Sequence, residues 1–258
     1  MCLVALALGI HEKFPLIVAA NRDEFYERPT TRVHFWEDDP TIFAGKDCLR
    51  GGSWLGVSKK GRFACVTNIR ETVESEEIDF ISRGDLVKGF LQSDFSPKEY
   101  VTQIEQQKDK FQGFNLIVHN GTQTIYYSNR IEQPIELAAG YYYVSNSTLN
   151  VEWPKVKSLR SGFSDVVNAR PPLEEIVEQT LKVLKTEDLY LDKDLPETGV
   201  GLKWERMLST IFIKSELYGT RASTIVAINE DGWAHITEQG FESMGVATEK
   251  IQKNITFL

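Results

Sequence analysis

The second residue of the chain, Cys2, has the chemistry of a nucleophile. Initiator methionine is normally removed before a small second residue, so loss of Met1 would leave Cys2 with a free terminal amine. The ordinary pKa is about 7.7–8.0 for such an amine and about 8.5 for a thiol, so the amine can act as a local base near neutral pH. The Met-Cys start alone also fits a small buried cysteine with no reactive role.

A polar group follows the second apolar segment of the chain. The run Ala20-Asn21-Arg22-Asp23-Glu24 combines an amide, a guanidinium and two carboxylates where that segment ends. If the segment pairs with the one that begins at Cys2, this group returns close to the thiol. A carboxylate there could orient the terminal amine, and Arg22 could lower the pKa of the thiol or hold an anionic substrate. A solvated, charged turn is the alternative interpretation.

Short apolar runs separated by turns predict several β-hairpins. The first pairs residues 3–8 with residues 15–20, and the second pairs residues 54–57 with residues 62–68. A third hairpin is predicted to pair residues 114–119 with residues 124–128, joined by Asn120-Gly121. A fourth is predicted to pair residues 223–228 with residues 233–237. Residues 141–144 form a further predicted strand.

Three helices are predicted from apolar residues at helical spacing. One begins near residues 82–85, one runs over residues 97–108 with Ser96 as its N-cap, and one runs over residues 172–184. Strands and helices therefore alternate in blocks and not as βαβ units. This order predicts an α+β fold with antiparallel sheets layered against helices, and no linker divides residues 1–258 into two domains.

Composition excludes some classes of protein. The formal net charge of -8 argues against a nucleic acid partner, and no apolar run reaches the roughly 20 residues that span a bilayer. Three cysteines without a CxxC pair fit a reducing cytoplasm, and Cys48 and Cys65 are assigned to packing. The four histidines have no metal-ligand spacing, so no metal or other cofactor is expected.

Several short motifs, in a fixed order, resemble those of the NRDE family, the transport and Golgi organisation 2-like proteins. After the Met-Cys strand and Asn21-Arg22-Asp23-Glu24, the chain carries the following motifs: Ala44-Gly45-Lys46-Asp47, Gly51-Gly52-Ser53-Trp54-Leu55-Gly56-Val57, Ser145-Asn146-Ser147 and Tyr218-Gly219-Thr220-Arg221-Ala222-Ser223-Thr224. The family is grouped with the N-terminal-nucleophile (Ntn) hydrolases. The resemblance implies a four-layer αββα sandwich, with two antiparallel sheets between helices.

The resemblance extends to the cysteine branch that contains bile salt hydrolase and penicillin V acylase, and it implies roles for individual residues. Cys2 would be the nucleophile, and Asn68 and Asn146 would stabilise the oxyanion. Arg221 resembles the second arginine of that branch, which orients the site or binds a substrate carboxylate. The Arg-x-x-Asp spacing of the bile salt hydrolases is absent, so either Asp23 or Glu24 could contact the amine of Cys2.

The resemblance implies two alternative functions. The first is an N-terminal cysteine hydrolase or acyltransferase that acts on a non-peptide amide or thioester. The second is a binding or trafficking protein that uses the same pocket for haem or a lipid-like metabolite without turnover. Trp54, Trp36, Trp153 and the tyrosines of residues 141–143 could line such a pocket, although aromatic residues of this kind are more often core.

Overall fold

The computed structural model describes residues 2–71 and 80–258 of the chain, and for Cys2 it describes the backbone alone. Six strands form one antiparallel sheet, here called sheet A, in the order β10-β1-β2-β11-β12-β13. Its strands are β1 (Cys2–Leu8), β2 (Leu16–Phe25), β10 (Gly140–Val144), β11 (Tyr218–Asn229), β12 (Trp233–Glu242) and β13 (Val246–Thr256).

Seven strands form the second antiparallel sheet, sheet B, in sequence order from β3 to β9. They are β3 (Thr30–Phe35), β4 (Ile42–Asp47), β5 (Leu55–Ser58), β6 (Arg62–Asn68), β7 (Phe114–His119), β8 (Thr124–Ser128) and β9 (Ile135–Glu136). The five α-helices of the described chain are α1 (Gly84–Gln92), α2 (Pro97–Glu105), α3 (Pro154–Asn168), α4 (Leu173–Leu184) and α5 (Leu202–Leu208).

Three apolar clusters hold these elements in four layers. One cluster joins alternate residues of both sheets, among them Val18 and Phe63. A second joins the other face of sheet A to α3 and α4, and a third joins the other face of sheet B to α1 and α2. Because side chains alternate between the faces of a strand, each buried strand serves two clusters at once. The predicted αββα sandwich is confirmed.

The local predictions agree well with the elements observed. All four predicted hairpins form, and the four apolar residues Leu86, Val87, Phe90 and Leu91 of α1 are buried. Ser96 caps α2, with its hydroxyl 3.2 Å from the amide N of Glu99. The strand that carries the polar group is longer than predicted, because β2 continues to Phe25.

The structure also bears on membrane spans, metal sites and the cysteines. In the described part of the chain, no helix is long and apolar enough to cross a membrane. The same residues hold no group of three or more side chains that could bind a metal ion. The packing role assigned to both cysteines holds for Cys65, which is buried between the sheets, but is wrong for Cys48, which is exposed.

Candidate active site

The register between β1 and β2 sets the position of the candidate nucleophile. In this antiparallel pair Cys2 lies opposite Arg22, and Leu3 lies opposite Asn21. The side chain of Cys2 and all of Met1 lie outside the described residues, so the backbone of β1 alone fixes position 2. The polar group predicted to approach Cys2 therefore belongs to the neighbouring strand β2, and it begins beside position 2 in the strand register.

The polar run in β2 is buried, which contradicts the alternative of a solvated turn. Asn21, Arg22 and Asp23 expose 0%, 6% and 1% of their surface. Asn21 supports the helical layer: its amide N lies 2.8 Å from the carbonyl oxygens of both Leu184 and Ile211. Its oxygen accepts a hydrogen bond from Ser223, so Asn21 is placed to hold the strand in position.

Arg22 faces a cleft and has unused hydrogen-bonding capacity. Its guanidinium carbon lies 4.2 Å from the ring centroid of Trp54, in a cation–π arrangement. Among the described residues its Nη1 has no hydrogen-bond partner. The indole can lie here because position 45 is a glycine, and a Cβ on Gly45 would overlap the ring. Trp54 and Arg22 together form one wall of the cleft.

Asp23 is the more enclosed of the two candidate carboxylates. Its Oδ1 accepts a hydrogen bond of 2.7 Å from the hydroxyl of Thr220. Burial raises the pKa of the Asp23 carboxyl, and the ammonium group of Lys155 acts in the opposite direction. Lys155 is itself buried, and its Nζ lies 2.8 Å from the carbonyl oxygen of Leu208. No pattern in the sequence marks this lysine, because a lysine at the start of a helix is usually solvated.

Glu24 lies nearer the surface than Asp23. Its Oε1 accepts a hydrogen bond from the amide of Phe25, and its Oε2 is 3.9 Å from Nε of Arg28. Arg28 pairs more closely with Asp47, at 2.7 Å. Glu24, Arg28 and Asp47 thus form a charged group along the cleft, with two carboxylates around one guanidinium.

The two asparagines predicted for the oxyanion come together although 78 residues separate them. The amide N of Asn146 lies 3.1 Å from the side-chain oxygen of Asn68 and 3.2 Å from its backbone oxygen. Asn146 is buried, whereas Asn68 is half-buried at the end of β6 and lines the cleft. The side-chain N–H group available to a ligand in the cleft is therefore that of Asn68, and Asn146 fixes its orientation.

Behind the asparagines lies a buried ion pair that sequence reasoning missed. Nη1 of Arg70 is 2.7 Å from Oε2 of Glu205, and each side chain is 5% exposed. The backbone N–H of Arg70 donates to the backbone oxygen of Asn146, at 2.8 Å. Burial lowers the pKa of Arg70, and the carboxylate of Glu205 counters that effect. This pair connects α5 to the strand end that carries Asn68.

Arg221 does not line the cleft. It is the extra residue where the register between β2 and β11 shifts, and such β-bulges redirect side chains. Its Nη1 lies 3.0 Å from the carbonyl oxygen of Phe25 and 2.7 Å from that of Arg28. Burial lowers the pKa of Arg221, and the neighbouring Arg22 adds to the effect. Arg221 is therefore placed to hold the turn after β2 in shape.

These groups border one cleft of about 340 Å³. Its described lining contains four arginines and three acids, which are Arg22, Arg28, Arg50, Arg83, Asp23, Glu24 and Asp47. Of the tryptophans considered for a pocket, Trp54 lines this cleft, whereas Trp36 is buried beneath sheet B. Trp153 packs near Arg70, whose guanidinium carbon is 5.4 Å from its ring centroid.

Comparison with known proteins places this chain in a family. Residues 1–243 match the family described as transport and Golgi organisation 2. The chain belongs to this family. The homologue from Homo sapiens is 33% identical over 242 residues, which cover 88% of this chain and 86% of the relative. The homologue from Mus musculus is 32% identical over 244 residues, with the same coverage of both chains.

The fold has a counterpart among solved structures. Penicillin V acylase from Agrobacterium tumefaciens superposes with a TM-score of 0.50 at 10% sequence identity, covering 93% of this chain and 83% of that one. This likeness shows that the chain has the Ntn hydrolase fold, as its resemblance to the NRDE family implied. The names of the human and mouse relatives refer to transport and Golgi organisation and state no reaction.

Proposed function

We propose that this protein is an N-terminal cysteine hydrolase or acyltransferase that acts on a non-peptide amide or thioester. The observation that carries the proposal is the register of β1 against β2, in which position 2 lies opposite Arg22. Arg22 and Asn68 line the same cleft, so a cationic group and an amide donor border one space. A member of the same fold, the Agrobacterium enzyme, is a penicillin V acylase by name.

In the proposed reaction, the thiol of Cys2 gives its proton to the terminal amine as the sulfur attacks the acyl carbon. The C–S bond forms and the carbonyl electron pair moves to oxygen, where the Asn68 amide donates a hydrogen bond. The tetrahedral intermediate then expels the amine or thiol, which takes the proton from the terminal ammonium group. Water, or another acceptor, next attacks the acyl-enzyme thioester, releases the acyl product and restores the thiol.

Asp23 is the carboxylate that we assign to orientation of the terminal amine. It is buried, one residue along β2 from the partner of Cys2, and it is held by Thr220. Glu24 is half-buried, and its oxygens already face the amide of Phe25 and the guanidinium of Arg28. A buried acid that keeps one orientation is better suited than Glu24 to fix the lone pair of an amine.

Alkylation rates test this proposal without knowledge of the substrate. Intact-protein mass should show loss of Met1, and iodoacetamide should alkylate Cys2 faster than Cys48. Cys48 is a stringent reference because it is exposed, and the buried Cys65 should react last. Retention of Met1, or a Cys2 no faster than Cys48, would contradict the proposal and favour the alternative of haem or lipid-like binding without turnover.

A further inference from the structure

Arg22 is a buried cation without a matching anion in the described chain. A guanidinium remains charged at all physiological pH values, and a buried charge is costly unless it is paired and hydrogen-bonded. Arg22 is 6% exposed, its Nη1 has no partner among the described residues, and it forms no salt bridge there. Stacking on Trp54 satisfies one face of the group but no N–H donor.

Two buried carboxyls near Arg22 do not fill this role. Burial raises the pKa of both Asp23 and Glu238, and Arg22 opposes that effect less than the hydrogen bonds to these two acids do. Asp23 accepts its hydrogen bond from Thr220. Glu238 accepts one from the backbone of Val33, at 3.0 Å, which ties β12 to sheet B. Neither acid forms an ion pair with Arg22 within the described chain.

The other cleft arginines differ from Arg22. Arg28 is paired with Asp47 at 2.7 Å, with Glu24 nearby. Arg50 lies on the exposed surface, where water screens its charge, and Arg83 donates a hydrogen bond to the carbonyl oxygen of Gly113, at 3.2 Å. Arg22 is therefore the position in the cleft where a small anion would gain most from a charge-assisted hydrogen bond.

The location of Arg22 also limits where that anion can lie on a substrate. Residues directly opposite each other in an antiparallel pair have Cα atoms roughly 4.5–5.5 Å apart. Cys2 and Arg22 are such a pair. A carbonyl group that reacts at position 2 and an anion bound to Arg22 can therefore belong to one small molecule.

We infer that the substrate carries a carboxylate within a few bonds of the scissile carbonyl, and that Arg22 binds this carboxylate. The inference rests on the proposed function and names its substrate class, which is small acyl compounds. In N-acylated amino acids the carboxylate lies on the leaving amine. In half-amides of dicarboxylic acids it lies on the acyl group. Arg22 is then a specificity-determining residue.

A pair of alkylating reagents tests this inference before any substrate is known. Iodoacetate and iodoacetamide both form a thioether at sulfur and release iodide, and they differ in one carboxylate. Relative to the unfolded chain, iodoacetate should be favoured at Cys2 by about tenfold, the size expected of a charge-assisted hydrogen bond. Arg22→Gln should abolish the preference, whereas Arg28→Gln should keep it because Arg28 is already paired.

The wild-type protein supplies a second measurement in case Arg22→Gln does not fold. Millimolar acetate should slow alkylation of Cys2 by iodoacetate and leave the rate at the exposed Cys48 unchanged. This inference would be overturned if Cys2 reacts faster than Cys48 but shows no preference for iodoacetate, or if the preference persists in folded Arg22→Gln. The proposed function would remain in either case. A Cys2 slower than Cys48 toward both reagents would instead refute the proposed function.

Substrate pairs then distinguish the two sources of the carboxylate. N-acetylglycine is compared with N-acetylglycinamide, and succinamic acid with succinamide. The acid should have the higher kcat/KM in at least one pair, by about tenfold, and Arg22→Gln should remove that difference. If both neutral amides are hydrolysed as fast as their acids, the inference fails.

Discussion

The ion pair between Arg70 and Glu205 should contribute strongly to stability, and Glu205→Gln tests this. Both side chains are 5% exposed and their charged atoms lie 2.7 Å apart. Oε1 of Glu205 also accepts hydrogen bonds from Thr198, at 2.7 Å from the backbone N and 2.5 Å from the hydroxyl. The Gln variant can keep some of these hydrogen bonds but leaves Arg70 buried without an anion.

Removing one partner of a buried pair costs about 3–5 kcal/mol, chiefly because the remaining charge is uncompensated. The expected loss for Glu205→Gln is therefore about 3 kcal/mol in the free energy of unfolding, measured by urea denaturation. The double variant Arg70→Met with Glu205→Met should recover much of that loss, since it removes both charges from the interior.

A neighbouring pair on the same helix provides the control. Arg206 and Asp192 form a two-point contact, at 2.7 and 2.6 Å, but both side chains are about half exposed. Arg206→Gln should leave the urea midpoint nearly unchanged, because water screens an exposed pair. If Glu205→Gln is no more destabilising than Arg206→Gln, the assignment of a buried, tightly coupled pair behind Asn146 is wrong.

Three further predictions concern the site and its support. Asn68→Ala should lower kcat by about 10²–10³ through loss of an oxyanion donor, and Asn146→Ala should lower it less, with folding checked by circular dichroism. Burial lowers the pKa of His119 to about 4. Since the unfolded chain binds its proton near pH 6.5, stability should fall by up to about 3 kcal/mol from pH 6.5 to pH 4. His119→Gln should flatten this dependence in thermal melts, while His34→Gln should not. Gly45→Ala should displace the neighbouring indole and change the tryptophan fluorescence; an unchanged spectrum would contradict the close packing.

Local patterns in the sequence predict much of the fold but not all of it. The apolar spacing of α4 and the cap at Ser96 are visible because the signal lies within a few residues. The helix α3 was not predicted, although its buried residues Val156, Leu159 and Phe163 have helical spacing and proline is common in the first turn of a helix. The strand β13 was missed because Ile255 is its one fully buried residue, so the polar sequence shows no alternation.

The placement of polar residues near position 2 could be predicted because it depends on neighbouring strands. Arg22 and Asp23 could be expected near Cys2 because one short hairpin joins the two strands. The contact between Asn68 and Asn146 was expected from the resemblance alone, since no periodicity connects residues so far apart. The pair of Arg70 with Glu205 gave no signal at all, because 135 residues separate its members and single charged residues are usually solvated.

Acylation of Cys2 is the step on which the proposed function depends, and mass spectrometry measures it directly. After brief exposure to p-nitrophenyl acetate, peptide mapping should locate one acetyl group on Cys2, with a burst of p-nitrophenolate of one equivalent per chain. The adduct should disappear on longer incubation as water restores the thiol. Acetylation of Cys48 in place of Cys2, or ester turnover without any adduct at Cys2, would contradict the account.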